Sequence, residues 1–362
     1  MKELLEICAA LEELGDAPCA LATVINVEGS AYRRPGARML LTLEGDSWGM
    51  VSGGCLESDV MDHARRALQS GLPRVVRYDS TSDDDIVFGT GLGCNGIIDV
   101  LIEPVTEDLK EAFVTAVRAC HKSREPGAVA TMVGNGEEST CSNEHAFLKE
   151  GSWVGSEALA QVLNIHGVES SQTSLSNDYG ETPVFIQQLL PPVHLVIFGG
   201  WLDVLPLIHM SKEVGFHVTV VDSRRRLSSR RLFREADAVF LCSPAEALSQ
   251  IQVDDRTVGV VMNHHFERDQ ETLSSLSQYG LNYVGTLGPK RRLERMLNAW
   301  KATGAMISDE FVQTIHGPAG LDLGAKTPEE IALSIMGEIL SVLNERNAKS
   351  LRERPTALAA SA

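Results

Sequence analysis

Three arginines, two adjacent glycines and a cysteine crowd into one short stretch of this 362-residue chain. The residues run Glu28-Gly-Ser-Ala-Tyr-Arg-Arg-Pro-Gly-Ala-Arg38, and Ser52-Gly-Gly-Cys-Leu-Glu57 follows soon after. Arg33, Arg34 and Arg38 supply guanidinium groups suited to charge-assisted hydrogen bonds with phosphate or oxo oxygens. Gly53 and Gly54 offer backbone N–H groups with no side chain in the way. Cys55 stands at the mouth of a helix-like segment, where the helix N-terminus and nearby arginines favour a thiolate. A soft thiolate suits a metal centre or a sulfur-transfer intermediate. An inert buried thiol is the alternative reading.

The elements that must position these groups are legible around them. Two apolar runs, 38–43 and 47–52, flank Glu44-Gly45-Asp46 and read as a hairpin. The second run feeds the paired glycines and then a helix over 57–70. Helices are expected over 2–14 and 107–122, and strands near 20–27, 74–79, 97–103, 129–133 and 184–189. The interval 164–182 is polar and serine-rich and reads as a loop. Pro191-Pro192 marks a boundary, because neither proline donates to a sheet ladder. Beyond it the pattern becomes regular. Strands at 194–198, 217–222, 238–242, 257–262 and 283–284 alternate with helices at 202–214, 227–235, 245, 269–279, 289–303 and 328–348. This alternation predicts a parallel sheet covered on both faces. The expected fold class is α/β, with an N-terminal mixed α/β domain over 1–190, a C-terminal Rossmann-like domain over 191–348 and a tail from 349.

A hydrophobic content of 43% with 22% charged residues fits a globular chain. The net charge of −17 argues against binding to nucleic acid or anionic membrane. Basic clusters at 33–38, 224–226 and 290–292 therefore stand out as places for a small anion. Seven cysteines are odd in number and lack paired metal spacing, and the N-terminus has no secretory pattern. A cytoplasmic location is expected.

Two glycine signals need separating. Gly91-Leu-Gly-Cys94-Asn-Gly96 matches a dinucleotide fingerprint letter for letter, yet a β-branched run follows where a helix is required. It reads as a loop bordering a site, with Cys94 a secondary candidate ligand. The segment in the right context is Phe198-Gly199-Gly200-Trp201-Leu202-Asp203, answered by Asp222 at the end of the next strand, where a ribose hydroxyl would be held. Trp201 occupies the place of the second motif glycine and should crowd a dinucleotide, so NAD(P) binding is not expected. An NAD(P)-dependent oxidoreductase is the alternative reading, and a non-catalytic scaffold a third.

Taken together, these segments resemble the XdhC/CoxI family of xanthine dehydrogenase accessory proteins. The resemblance extends through Tyr283-Val-Gly-Thr-Leu-Gly-Pro-Lys-Arg-Arg292 and Gly317-Pro-Ala-Gly-Leu-Asp-Leu-Gly-Ala-Lys-Thr-Pro-Glu-Glu-Ile-Ala332, covering about residues 4 to 342. It implies a maturation factor, more a cofactor carrier than a catalyst, that binds the molybdenum–pterin cofactor and delivers it to an apo xanthine dehydrogenase or related molybdenum hydroxylase. A cysteine desulfurase is a further implied partner, and a homodimer the implied assembly. The family turn resembling Gly-Ala-Gly-His-Asp is only partly kept, since Trp201 and Leu202 replace its later Gly and His. The combined site set is Arg33, Arg34, Arg38, Gly53, Gly54, Cys55, Glu57, Cys94, Gly199, Gly200, Asp222, His264, Lys290, Arg291 and Asp322, with Cys55 the candidate ligand to cargo molybdenum. His264 is expected at the carboxyl edge of its strand, its neighbour His265 facing the other way. Thr327, Pro328 and Glu330 read as a helix cap.

Overall fold

The computed structural model describes residues 1–80, 96–134, 144–149, 151–166, 173–179, 182–224, 228–302 and 307–353. Cys94 and the rest of Gly91–Asn95 lie outside the described residues. The chain divides into two compact units, Met1–Pro191 and Pro192–Glu353, at the paired prolines.

The first unit is built on two five-stranded sheets. In one, β1 (Cys19–Gly29) is central, with β2 (Arg38–Thr42) and β3 (Ser47–Gly49) on one side and β5 (Gly96–Pro104) and β4 (Arg74–Asp79) on the other. Every pair in it is antiparallel. The period of two in β1 sorts its side chains cleanly. Ala20, Ala22 and Val24 pack with Val60, Ala64 and Ala67 of α2 (Glu57–Ser70). Cys19 and Leu21 face Leu4, Ile7 and Leu11 of α1 (Lys2–Leu14) and Phe113 of α3 (Glu107–Ser123). The second sheet runs β8 (Ser152–Gly155), β7 (His145–Lys149), β6 (Gly127–Met132), β10 (Val184–Leu189), β9 (Ser174–Ser176). The α4 helix (Glu157–Ile165) covers one of its faces. Four of these elements, β7, β8, α4 and β9, escape the sequence reading; β9 sits inside the expected loop 164–182.

A buried arginine joins the two sheets. Arg38, a candidate anion contact by its sequence context, is 1% exposed and points into the core. Its Nε donates to Gln187 Oε1 of β10 at 2.7 Å, and its guanidinium lies 4.7 Å from the Phe113 ring centroid. Burial pulls its pKa down to about 10 against the opposing pull of Glu103, so it stays charged at neutral pH. Glu103 in turn lies 3.3 Å from Nε2 of His145 in β7.

In the second unit all six strands are parallel, in the order β13 (Ala238–Phe240), β12 (His217–Val221), β11 (His194–Phe198), β14 (Thr257–Val261), β15 (Val284–Thr286), β16 (Ile315–His316). Counted within the unit this is 3-2-1-4-5-6, the Rossmann arrangement, with its switch point between β11 and β14. Helices α5 (Leu205–Glu213), α6 (Ser228–Leu232) and α11 (Pro328–Leu343) share one hydrophobic cluster. Helices α7 (Pro244–Leu248), α8 (Phe266–Leu276), α9 (Lys290–Ala302) and α10 (Asp309–Gln313) share another on the opposite side of the strands. The expected cap of α11 is present: Thr327 accepts from the Glu330 N–H, and Glu330 reaches back to the Thr327 N–H.

If Arg38 is structural, Arg38→Met strands Glu103 without its arginine and should cost about 3 kcal/mol of first-unit stability. Chemical denaturation with a probe in that unit measures the loss. Unchanged stability would return Arg38 to the set of ligand contacts.

Candidate functional site

In the first unit the loop 30–37 and the bend 50–56 lie against each other. Gly36 N–H donates to Val24 O at 2.8 Å and Val24 N–H to Ala37 O at 2.9 Å, which returns the loop to β1. Gln187, already holding Arg38, donates from Nε2 to Gly36 O at 2.9 Å. The arginine thus fixes the loop from beneath and is not displayed on it. Glu3 of α1 ties loop to bend: Oε2 pairs with Arg33 and Oε1 accepts from Met50 N–H at 3.2 Å. Arg33 is therefore committed to a carboxylate, while Arg34 is exposed.

The bend is anchored at both ends and open in the middle. Val51 and Leu56 are fully buried, and Gly53, Gly54 and Cys55 between them are exposed. Ser52 Oγ accepts from Gly54 N–H at 3.2 Å and Leu56 N–H at 3.0 Å. The Gly54 donor proposed for an anion is thus spent on a serine, and those of Gly53 and Cys55 are not drawn into that cap. Glu57 accepts from Ser52 N–H at 2.8 Å and from the Ser52 hydroxyl. Burial opposes its charge, but the Ser52 and Leu56 donors outweigh that and hold its carboxyl below the usual range. Glu57 thus shapes the bend and is not presented to a ligand. Two glycines are structural necessities. Gly49 has φ +78°, and a Cβ there would sit 2.3 Å from Arg38 O; a Cβ on Gly96 would sit 2.2 Å from Ser30 O. Gly96 opens a strand, as expected of a loop and not of a dinucleotide fingerprint.

Tyr32 is a site residue the sequence reading passes over. Its ring lies over the Gly53 Cα, with the Cγ 3.4 Å from where a Cβ would stand, and the residue is 69% exposed. Cys55 differs from the other cysteines in its surroundings. Cys8, Cys19, Cys120 and Cys242 are buried, and Cys55 is the exposed thiol among the described free cysteines. Burial pushes Cys8 up to about 12 and raises Cys19, so both remain thiols.

The second unit carries a separate crevice at its switch point. Gly199, φ +142°, lets the turn after β11 approach β14, since a Cβ there would meet Met262 O at 2.4 Å. Asp222 is 1% exposed and is already engaged. Its Oδ1 accepts from Arg224 N–H at 3.1 Å and Arg224 Nε at 3.0 Å, and the same guanidinium donates to Gly200 O. A ribose diol would have to displace that arginine. Trp201 stands 52% exposed on the same turn.

His264 is not in a strand, so the alternation argument for the histidine pair fails. The β14 strand ends at Val261, and His264 adopts φ +55°. Asn263 forces this: its N–H donates to Asp269 at 3.2 Å and its Nδ2 to Thr272 at 3.2 Å. His264 Nε2 then meets Asp203 Oδ2 at 2.6 Å across the crevice, and that hydrogen bond raises the imidazole above the ordinary histidine range despite partial burial. Arg292 pairs with Asp269 at 2.5 Å, so the basic start of α9 is partly compensated from α8, leaving Lys290 and Arg291 exposed. Asp322 is exposed in a loop clamped to α11. Glu338 accepts from Tyr283 Oη and Gly320 N–H, each at 2.7 Å, and Ser334 Oγ donates to Leu321 O at 2.6 Å.

Comparison with known proteins decides the kinship. The chain is 35% identical to a probable xanthine dehydrogenase subunit of Bacillus subtilis, over 92% of this chain and 94% of that one. The chain belongs to the XdhC and CoxI family. Its family model matches residues 15–79, and the XdhC Rossmann domain model matches residues 195–339. The first match holds the Arg33–Cys55 segment, and the second holds the crevice. A solved structure of a xanthine dehydrogenase from Bacillus halodurans superposes with a TM-score of 0.79 at 31% identity, covering 98% of both chains. The molybdenum cofactor insertion chaperone PaoD of Escherichia coli is 24% identical over 89% of this chain and 82% of its own.

In this XdhC/CoxI protein, Cys55 should be alkylated by iodoacetamide well before Cys8, Cys19, Cys120 and Cys242. Peptide mass mapping of a time course checks the order. His264 should titrate above the ordinary histidine range, and Asp203→Asn should lower it, as followed by imidazole proton NMR. Because the folded pKa is raised, the stabilisation is complete below the unfolded value and fades as pH rises through the folded one.

Proposed function

We propose that this protein is a maturation factor that carries the molybdenum–pterin cofactor on the loop and bend of its first unit and hands it to a molybdenum hydroxylase of the xanthine dehydrogenase type. The observation that carries the reading is Cys55: a thiol exposed on a glycine bend whose two ends are buried, with Tyr32 over the neighbouring peptide. A carrier needs a soft ligand that cargo can reach and leave, and an exposed cysteine sulfur is one. Arg34, exposed on the same loop, supplies charge for the cargo's phosphate or oxo groups. The names of the relatives support the direction: one is a molybdenum cofactor insertion chaperone, another a xanthine dehydrogenase subunit. Open cargo would also be accessible to a sulfur donor such as a cysteine desulfurase, and a cytoplasmic homodimer fits the reading.

The Rossmann arrangement of the second unit favours a second reading, an NAD(P)-dependent oxidoreductase. Arg224 on Asp222 and Gly200, and Trp201 on the turn, weigh against it. Among the described residues, no group of histidine, cysteine and carboxylate side chains could hold a metal ion, and no helix is long and apolar enough to cross a membrane.

Protein co-produced with an active cofactor pathway and purified anaerobically should carry molybdenum and pterin near one per chain. Cys55→Ala should retain at least ~10-fold less, with stability changed by no more than about 0.5 kcal/mol because the site is on the surface. Wild-type protein that binds neither the oxo nor the sulfurated cofactor, yet binds NADH at micromolar levels by fluorescence titration, would reverse the two readings.

A further inference from the structure

A groove of about 840 Å3 opens on the α5, α6 and α11 side of the second unit. Its floor is apolar, formed by Leu205, Ile208, Leu232 and Phe233, of which Ile208 and Phe233 belong to the buried core. Its rim is basic. Arg230, Arg231 and Arg234 line it, with Arg230 and Arg234 exposed and Arg231 exposed beside them. Of the two carboxylates at the edge, Glu235 is engaged by His209 Nδ1 at 3.1 Å, and Glu329 sits in the first turn of α11.

The apolar surface continues past the groove. Leu333 and Leu340 lie four and eleven positions after Glu329, on the same side of α11 by helical spacing. They are 57% and 38% exposed. A closed small-molecule pocket has no use for such an extension, whereas an elongated partner does. An apolar floor extended by exposed leucines suits an amphipathic helix, whose anchors at i, i+3 or i+4, and i+7 form one elongated apolar face.

We infer that this groove is a docking site for an acidic amphipathic helix of a partner protein. Charge selects the occupant. The chain carries −17 overall, so an acidic segment is repelled from most of its surface and drawn to the three clustered arginines. A second copy of this chain is a poorer candidate. Of its own acidic amphipathic helices, α1 buries Leu4, Ile7 and Leu11 and α11 buries Ile335, Met336 and Ile339 within their units, and the leucines that α11 exposes, Leu333 and Leu340, belong to the docking face itself. The assignment does not depend on the cofactor reading, since the groove lies in the second unit and Cys55 in the first.

The test uses full-length protein and a fluorescein-labelled, helix-stapled peptide of about 16 residues, with leucine at every third or fourth position and glutamate between. Anisotropy should show micromolar binding that weakens at least ~10-fold between about 50 and 300 mM salt. The Arg230→Glu, Arg231→Glu, Arg234→Glu triple variant should lose at least ~10-fold, and Leu333→Glu should weaken binding with the arginines intact. Circular dichroism confirms that both variants are folded. A peptide with lysine for glutamate should not bind. The assignment is overturned if the acidic peptide fails to bind wild-type protein or binds the triple variant equally well. It is also overturned if light scattering finds a dimer that the triple variant abolishes, which gives the face to a second copy. Loss of molybdenum–pterin from the triple variant would assign the arginines to cargo and overturn it too.

Discussion

The buried guanidinium of Arg38 is the constraint from which the first unit is arranged. A charge taken out of water costs several kcal/mol unless attraction and hydrogen bonds offset it. Here the offset comes from three directions: Gln187 accepts from Nε, Phe113 lies under the guanidinium, and Glu103 favours the charge. Gln187 belongs to β10 and Arg38 to β2, so satisfying the arginine fixes the two sheets against each other. The amide donor of Gln187 then lands on Gly36 O. One buried side chain therefore sets the height and pitch of the loop that carries Tyr32, Arg33 and Arg34.

The bend that bears Cys55 follows the same logic on a smaller scale. The start of a helix leaves N–H groups without partners, and Ser52 and Glu57 supply them locally at Gly54, Leu56 and Ser52 itself. Local capping frees the bend from any need for core contacts between Val51 and Leu56. The exposed stretch can then be short, shaped and still carry a thiol. The cost falls on Gly49, where only a residue without Cβ lets the chain pass Arg38 O.

Much of this is legible in the sequence, and the failures have physical causes. The hairpin, α2, α3, the boundary at Pro191-Pro192 and the alternating second unit all announce themselves through periodicity and turn residues. Arg38 misleads because its type suggests a surface. Its position says otherwise: β2 is buried along its whole length, with Leu40 in the cluster with α1 and α3 and Met39 and Leu41 in the cluster with α2. A five-residue strand covered on both faces has no outward place for a charge. Strands β7, β8 and β9 escape notice because three to five residues of mixed polarity carry too little period to register. His264 lies three residues beyond the end of its strand, a boundary set by Asp269 and Thr272 from the following helix, and no local pattern encodes that.

The second unit shows how far a fold can be kept while the chemistry of its ligand edge is rewritten. Strand order 3-2-1-4-5-6 is intact, and Gly199 still allows the close approach at the switch point. Yet the polar groups that a dinucleotide would use have been given to the protein itself. Asp222 holds Arg224, Arg224 holds Gly200 O, and Asp203 gives Oδ2 to His264 while its buried Oδ1 is left without a partner among the described residues. Such internal pairs supply partners to polar groups at the turn without any ligand. A ribose reaching Asp222 must break a charge-assisted hydrogen bond before making one, which is the reverse of preorganisation. A Rossmann sheet is thus no argument by itself for nucleotide chemistry in this chain.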